Sequence, residues 1–342
     1  MNLKKRPIGA SGVQLPALGF GAAPLGNLYR AISDADARAT LDTALDLGLC
    51  YVDTAPHYGL GLSERRVGDA VRGREAIVST KVGRLLFAAP EADTRTERHG
   101  FHTPMPFEAH FDYSHDGILR SHEASLQRLG LARIDILYIH DIGRLTHGEA
   151  HAQYWDQLTR GDGLRALQRL RDEGAVRAIG AGVNEIPICL DLLDHAPLDM
   201  LLLAGRYTLL EQGALHALFP TCERTGTAIV IGGPYNSGIL AGGPQPARHY
   251  NYARPPVEVV DKAERIAAVC ARHQVPLGAA ALQFAMAHPV VASVIPGLAS
   301  AKEVQETMDR AAFDIPADLW VELKHAALLA SDAPTPASKV AA

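Results

Sequence analysis

The chain has 342 residues, 47% of them apolar and 21% charged, with a formal net charge of −5. That balance supports a large buried core and excludes the strongly basic surface that nucleic acid or an anionic membrane would select. What is left is small-molecule chemistry, in two average domains or in one α/β barrel, since barrels run past ~250 residues as a single unit.

Residues 3–14, with Gly9, Ser11-Gly12 and short apolar pieces, predict a hairpin ahead of the main fold. Residues 17–21 read as a short first strand. Ser33 suits the N-cap of a helix whose Ala37, Leu41, Ala44 and Leu45 share a face, and Gly48 suits its C-terminus. A second strand at 50–54, a helix capped by Ser63 and reaching 71, and a third strand at 76–81 follow. The polar stretch 83–113, with Pro90, Pro104 and Pro106, breaks this rhythm as a long loop, and such loops are often lids or binding segments. A helix at 115–129 precedes a strand at 134–140. Beyond a variable piece at 146–159 come a helix at 163–173, closed by Gly174, and a strand at 176–181. The alternation continues with a helix at 187–194, a strand at 200–204, a helix at 212–224 and a strand at 228–231. A second long loop, 232–256, leads to helices at 259–273 and 277–287 and to an eighth strand at 290–295. Ser300-Ala301-Lys302-Glu303 has the pattern of a capping box, a last helix is expected at 317–329, and residues 331–342 are expected to be a mobile tail.

Eight apolar strands alternating with helices imply parallel pairing, and their Val/Ile/Leu runs imply burial on both faces. The expected architecture is a closed (β/α)8 TIM barrel, one domain over 1–330, with an N-terminal β-hairpin and long loops at the C-terminal strand ends. Reactive groups of such barrels come from those ends. Asp53, Lys81 and His140 stand there, and Tyr58 is on the loop just after Asp53.

Other chemistries find little support. Cys50, Cys189, Cys222 and Cys270 are scattered with no C-x-x-C pair, there is no H-E-x-x-H, and no metal is expected. His99, His102, His110, His115 and His122 read as surface histidines of one polar stretch. No apolar signal core follows the basic start, so a cytoplasmic location is expected, with neither membrane nor nucleic acid as partner and no oligomeric state specified. Neither Gly19-Phe20-Gly21 nor Gly59-Leu60-Gly61 continues into a full dinucleotide fingerprint, so a nucleotide would bind the barrel face, where helix N-termini after the seventh and eighth strands suit anions.

A phenol has a pKa near ~10, and an adjacent ammonium favours phenolate. Lys81 would exert that pull on Tyr58, Asp53 would pair with Lys81, and His140 would donate to a substrate oxygen. The same residues also allow a purely structural Asp53–Lys81 ion pair.

Val52-Asp53-Thr54-Ala55-x-x-Tyr58-Gly59, with Lys81 after the third strand and Ile139-His140-Asp141 after the fourth, resembles the aldo-keto reductases over residues 5–310. The resemblance implies a nicotinamide cofactor extended across the strand ends and the catalytic set Asp53, Tyr58, Lys81 and His140. It places Asn184 on the nicotinamide carboxamide, and cofactor contacts at Gly21, Asp53, Gly232, Gly233, Pro234, Ser237, Gly238, Pro296, Gly297, Leu298 and Glu306. Where members specific for the phosphorylated cofactor commonly carry Lys and Arg, this chain has Gly297 and Glu303, so NAD is expected, with NADP as the alternative. Ala204 and Gly233 replace the usual glutamine and aromatic residue, leaving Tyr207 or Tyr235 to pack against the nicotinamide.

Residues 23–29, 56–64, 204–210 and 232–238 resemble a branch of bacterial sugar 1-dehydrogenases. This implies oxidation of a cyclic aldose, L-fucose or a related D-threo-aldose, to its lactone; pyridoxal, also a cyclic hemiacetal, is the near alternative. His57, Arg84, Arg206, Tyr235 and Asn236 are the expected substrate contacts. A general aldehyde reductase and a non-catalytic nucleotide sensor are the remaining readings.

Overall fold

A computed structural model describes residues 3–242, 250, 251 and 253–337. Among the described residues there are twelve strands: β1 (Lys5–Pro7), β2 (Gln14–Pro16), β3 (Phe20–Gly21), β4 (Tyr51–Asp53), β5 (Ile77–Val82), β6 (Arg84–Ala88), β7 (Phe107–Phe111), β8 (Ile136–His140), β9 (Ala178–Val183), β10 (Met200–Ala204), β11 (Ala228–Gly232) and β12 (Val291–Ile295). The helices are α1 (Asp34–Asp46), α2 (Leu62–Val71), α3 (His115–Leu129), α4 (Arg144–His147), α5 (His151–Thr159), α6 (Gly163–Asp172), α7 (Ile186–His195), α8 (Leu218–Thr225), α9 (Val257–Arg272), α10 (Leu277–Ala287), α11 (Ala301–Ala312) and α12 (Ala317–His325).

Eight strands form one parallel sheet in the order β12-β11-β10-β9-β8-β5-β4-β3. Its two edges meet through parallel bridges from Leu18 to Val294 and from Gly21 to Gly297, with the Gly19 N–H donating to Val294 O at 2.9 Å. The barrel is thus closed, and its first strand is shorter than expected because most of its pairing is made by these single bridges. Strand residues alternate between an inner layer, with Tyr51, Ile136, Tyr138, Met200 and Val230, and an outer layer against the helices, with Val52, Leu137, Ile139, Leu201 and Ile229. The hairpin β1–β2 brings Ile8, Val13 and Leu15 against the inner layer and so closes the barrel bottom.

Several local expectations change. The stretch 83–113 is not a plain loop: β6 and β7 pair antiparallel, Arg84 opposite Phe111, as a separate two-stranded sheet. Pairing satisfies backbone groups that an open loop would leave to water. Ser63 does not cap α2. Gly61 occupies the cap with φ 97°, while Ser63 Oγ lies 2.8 Å from both Ala22 O and Thr54 Oγ1, tying strand ends together. The helix expected at 212–224 splits into a turn at Gly213–Leu215 and α8, whose first turn holds Pro220, where a missing N–H loses no partner. The variable piece 146–159 contains α5. Ser33 and Ser300 cap α1 and α11 as expected, and Glu303 reaches back to the Ala299 N–H at 2.7 Å.

Of the expected tail, Ala333 is buried against the core, and residues 338–342 lie outside the described residues. So does much of the second long loop, at 243–249 and 252. Among the described residues no helix is long and apolar enough to cross a membrane.

Candidate active site

The C-terminal ends of β4, β5 and β8 deliver Asp53, Lys81 and His140 to one rim, as register dictates once the strands lie side by side. Lys81 Nζ donates to Asp53 Oδ2 at 2.7 Å, to Thr54 O at 2.9 Å and to Tyr58 OH at 3.1 Å. The Lys81 and Asp53 side chains are 2% and 3% exposed, so the pair is desolvated. The Lys81 stem passes over Gly182 of β9, where a Cβ would come within 3.2 Å of Lys81 Cε. His140 crosses the Tyr58 ring at right angles, centroids 6.0 Å apart.

Tyr58 is held by its loop. Gly59 has φ 64° and Gly26, on the turn after β3, packs against the Tyr58–Gly59 peptide so closely that a Cβ on Gly26 would lie 2.5 Å from Tyr58 C. Gly26 itself has no positive φ, so Gly26→Ala tests the contact by sterics alone. It should shift the Tyr58 loop and lower kcat by roughly 100-fold, since a displacement of about 1 Å can cost that much. Steady-state kinetics beside a melting curve will show whether activity falls further than stability.

These groups open into a cavity of about 530 Å³. Its floor is Gly182, Val183, Leu202 and Ala204, small enough to admit a flat ring, and the Asn184 carboxamide lines it with no hydrogen-bond partner among the described residues. Its outer wall is the tip of the β6–β7 hairpin, with Glu97, His99, Phe101 and His102. The tip is tied to the turn after β3: the His102 N–H donates to Asn27 O at 3.0 Å, and Asn27 Nδ2 to Thr103 Oγ1 at 2.9 Å.

Burial decides the protonation states. It pushes the Tyr58 phenol well up, with the Asp53 and Asp141 carboxylates adding to the effect and Arg84 opposing it. The downward pull of Lys81 expected from the sequence is therefore outweighed, because a buried phenolate lacks solvation. Burial likewise raises Asp53, against Lys81 and Ser79, and holds His140 and His57 well below the usual imidazole range. His140 is thus a neutral imidazole, able to donate one N–H.

The expected substrate contacts separate. His57 lines the cavity, with Phe101 against it edge-on at 5.3 Å. Arg84 lies behind the wall, donating to Asp141 Oδ2 at 2.7 Å and lying over the Phe111 ring. Arg206 bonds Asn251 Oδ1 and Gly205 O, Asn236 bonds Thr208 and Gly205, and Tyr235 packs under Arg310, so none of the three lines the cavity. Tyr207 is fully buried between Phe219 and Phe284, outside the barrel wall, because rings there complete the helix layer. It does not reach the cavity floor. The surface reading holds for His99, exposed at the cavity mouth, and in part for His102, half-exposed beside it, and it fails for His122, which is buried. Asp141, also in the cavity with φ 47°, was visible only as part of a motif.

Expected cofactor contacts follow the rim. Gly21 pairs with Gly297 at the ends of β3 and β12, Gly232 ends β11, Gly233, Pro234, Ser237 and Gly238 form the loop beyond it, and Pro296 and Leu298 lead into α11, which carries Glu306. Glu303 is engaged on both oxygens, by the Ala299 N–H and by Arg30 at 2.8 Å. Among the described residues no group of three or more His, Cys, Asp or Glu could hold a metal ion.

A parallel barrel with an Asp–Lys–Tyr chain and a histidine on one rim, beside a small-residue floor, defines a class of nicotinamide-dependent oxidoreductases. Residues 17–327 match the aldo/keto reductase family, and the chain belongs to that family, an oxidoreductase acting on CH–OH groups. It is 43% identical over 336 residues to the D-threo-aldose 1-dehydrogenase of a Pseudomonas species, covering 96% of this chain and 97% of the relative. It is 42% identical over 341 residues to the pyridoxal 4-dehydrogenase of Microbacterium luteolum, covering 96% of this chain and all of the relative. Among solved structures, the holo form of an aldo-keto reductase from Bacillus halodurans superposes with a TM-score of 0.73 at 26% identity, over 95% of this chain and 96% of that one.

Proposed function

We infer that the protein oxidises the anomeric hydroxyl of a cyclic aldose, L-fucose or a related D-threo-aldose, to the lactone with NAD. The observation that carries this reading is the position of Tyr58 OH, 3.1 Å from Lys81 Nζ, in a cavity walled by Glu97, His99, His102 and Asp141. Such a wall offers donors and acceptors to a hydroxylated ring, whereas a general aldehyde reductase would call for an aromatic one.

Asn184 and the floor of Gly182 and Ala204 would hold a nicotinamide, which would supply the hydride acceptor. Tyr58 takes the hydroxyl proton as the C–H hydride leaves the anomeric carbon. Lys81, anchored by Asp53, stabilises the phenolate that Tyr58 must be before it accepts that proton. His140 donates to the substrate oxygen and fixes its aim, and His57 closes the wall above. NAD is favoured over NADP by Gly297 and by Glu303, whose carboxylate occupies the first turn of α11.

Because burial holds the Tyr58 proton well above its usual range, the phenol is neutral at pH 7. Oxidation needs it as a base, so kcat/KM for oxidation should rise with pH from 6 to 10; a flat profile with a slow chemical step, shown by a deuterium isotope effect, would remove Tyr58 from the role.

Pyridoxal is the second reading, supported by the His57 and Phe101 rings on the cavity lining, which offer apolar contact to an aromatic ring, and by the identity to the Microbacterium enzyme. Initial rates with L-fucose, D-arabinose, L-galactose and pyridoxal, each with NAD or NADP, discriminate them. The expected result is turnover of an aldose, at least about tenfold faster with NAD, the loss of one charge-assisted contact being worth that much. Turnover of pyridoxal alone would transfer the assignment.

A further inference from the structure

Below the cavity a row of hydroxyls leads away from Asp53 that the reaction as described does not use. Asp53 Oδ2 takes the Lys81 ammonium, and Oδ1 accepts from Ser79 Oγ at 2.7 Å. Ser79 Oγ is 3.2 Å from Tyr51 OH, Tyr51 OH is 2.9 Å from Tyr138 OH, and Tyr138 OH is 3.4 Å from Met200 Sδ. Ser79, Tyr51 and Tyr138 are all wholly buried.

Each hydroxyl has one proton to give. A carboxylate only accepts, so the Ser79 proton goes to Asp53. Ser79 Oγ also stands within donor reach of Tyr51 OH, Tyr51 and Tyr138 hold one proton between their two oxygens, and Tyr138 OH donates to Met200 Sδ. Ser79 is thus the uncharged donor on Asp53 Oδ1, and the two tyrosine hydroxyls behind it fix where its oxygen stands. The surroundings supply no competing reason for the hydroxyls. Ile136, Ala178 and Val230 line the same interior, and alanine at 79 with phenylalanine at 51 and 138 would fill it without burying three polar groups.

We propose that Ser79, backed by Tyr51 and Tyr138, is a positioning residue, a buried hydroxyl held in place by two others that keeps Asp53 ionised and aimed at Lys81 and thereby fixes where the Tyr58 hydroxyl stands. This rests on the reading of Tyr58 as the proton carrier. The titratable groups facing Asp53 are Lys81 from β5, Tyr51 from its own strand, Tyr138 and His140 from β8 and Tyr58 from the loop, with Arg84 and Asp141 beyond. Lys81 and Arg84 are the cations of this group, His140 being held neutral, and Ser79 is the uncharged donor to Oδ1. Burial pushes both tyrosines far up, so they remain donors at every working pH.

The test uses the full chain with Ser79→Ala, Tyr51→Phe and Tyr138→Phe. Donors to a charged carboxylate matter only while it is charged. The melting temperature of each variant should therefore match wild type most closely at pH 4 and fall away from it toward pH 8, by roughly 4 °C for Ser79→Ala and less along the row. The kcat/KM for oxidation should fall about tenfold for Ser79→Ala, with cofactor affinity by fluorescence titration unchanged. A melting gap that is the same at every pH, or an unchanged kcat/KM, overturns the proposal and leaves the row as packing. If Ser79→Ala does not fold, the two phenylalanine variants, which keep their rings, decide by the same pH dependence. Tyr58→Phe is run alongside: full activity there sinks the catalytic reading, whereas a dead Tyr58→Phe with pH-independent gaps sinks only this inference.

Discussion

Tyr58→Phe should reduce turnover by roughly 10³-fold or more while leaving cofactor affinity within a factor of two. General acid–base catalysis contributes typically ~10²–10⁴-fold, and the phenol has no substitute at its place. Lys81 stands 3.1 Å away but is committed to Asp53 and Thr54 O, and His140 is neutral with its ring crossing that of Tyr58. Removing one oxygen from a half-buried ring costs little in packing, so the loss should appear in kcat and not in melting temperature. Stopped-flow kinetics with fluorescence titration of the cofactor separate the two. Near-normal turnover would dismiss the assignment.

Lys81→Met should be the more damaging change overall. It leaves a carboxylate that is 3% exposed without its cation, and breaking a buried pair from one side costs about 3–5 kcal/mol. The pH dependence follows from the direction of the Asp53 shift. Burial raises the native Asp53 above the unfolded value, and without Lys81 it rises further, so the native state binds the proton that the unfolded chain releases. Stability of the variant is then greatest at acid pH and is lost as pH rises through the native pKa. Adding Asp53→Asn should restore much of the stability and none of the activity. Urea unfolding at pH 5 and pH 8, with rates at each, checks this; a single variant as stable as wild type at both would show that the pair is not desolvated as described.

The barrel and the rim placement of Asp53, Lys81 and His140 were legible because both depend on strand ends. Apolar runs mark strands, the residue after each run marks the rim, and Asp53, Lys81 and His140 occupy such places. The cavity wall was not legible to the same degree. Alternation in Arg84–Ala88 and Phe107–Phe111 could have shown the hairpin, but the polar residues between them hid which of its histidines turn inward. Arg84, Arg206, Tyr235 and Asn236 were chosen for chemical type on loops near the rim, yet their side chains are taken up by Asp141, Asn251, Arg310 and Thr208. Charge balance at Tyr58 failed for a related reason: sequence shows the ammonium but not the loss of water around the phenol.

The hairpin that walls the cavity shares no strand pairing with the barrel sheet. Its tip can be rewritten, lengthened or exchanged without disturbing the register that aligns Asp53, Lys81 and His140. On the proposed function, proton handling and ring recognition are therefore carried by separate parts of this chain. A library confined to residues 89–100, which leaves Phe101 against Tyr58 and the His102 and Met105 amides on Asn27 and Gly59, should move the protein among related cyclic substrates while its acid–base profile stays where it is.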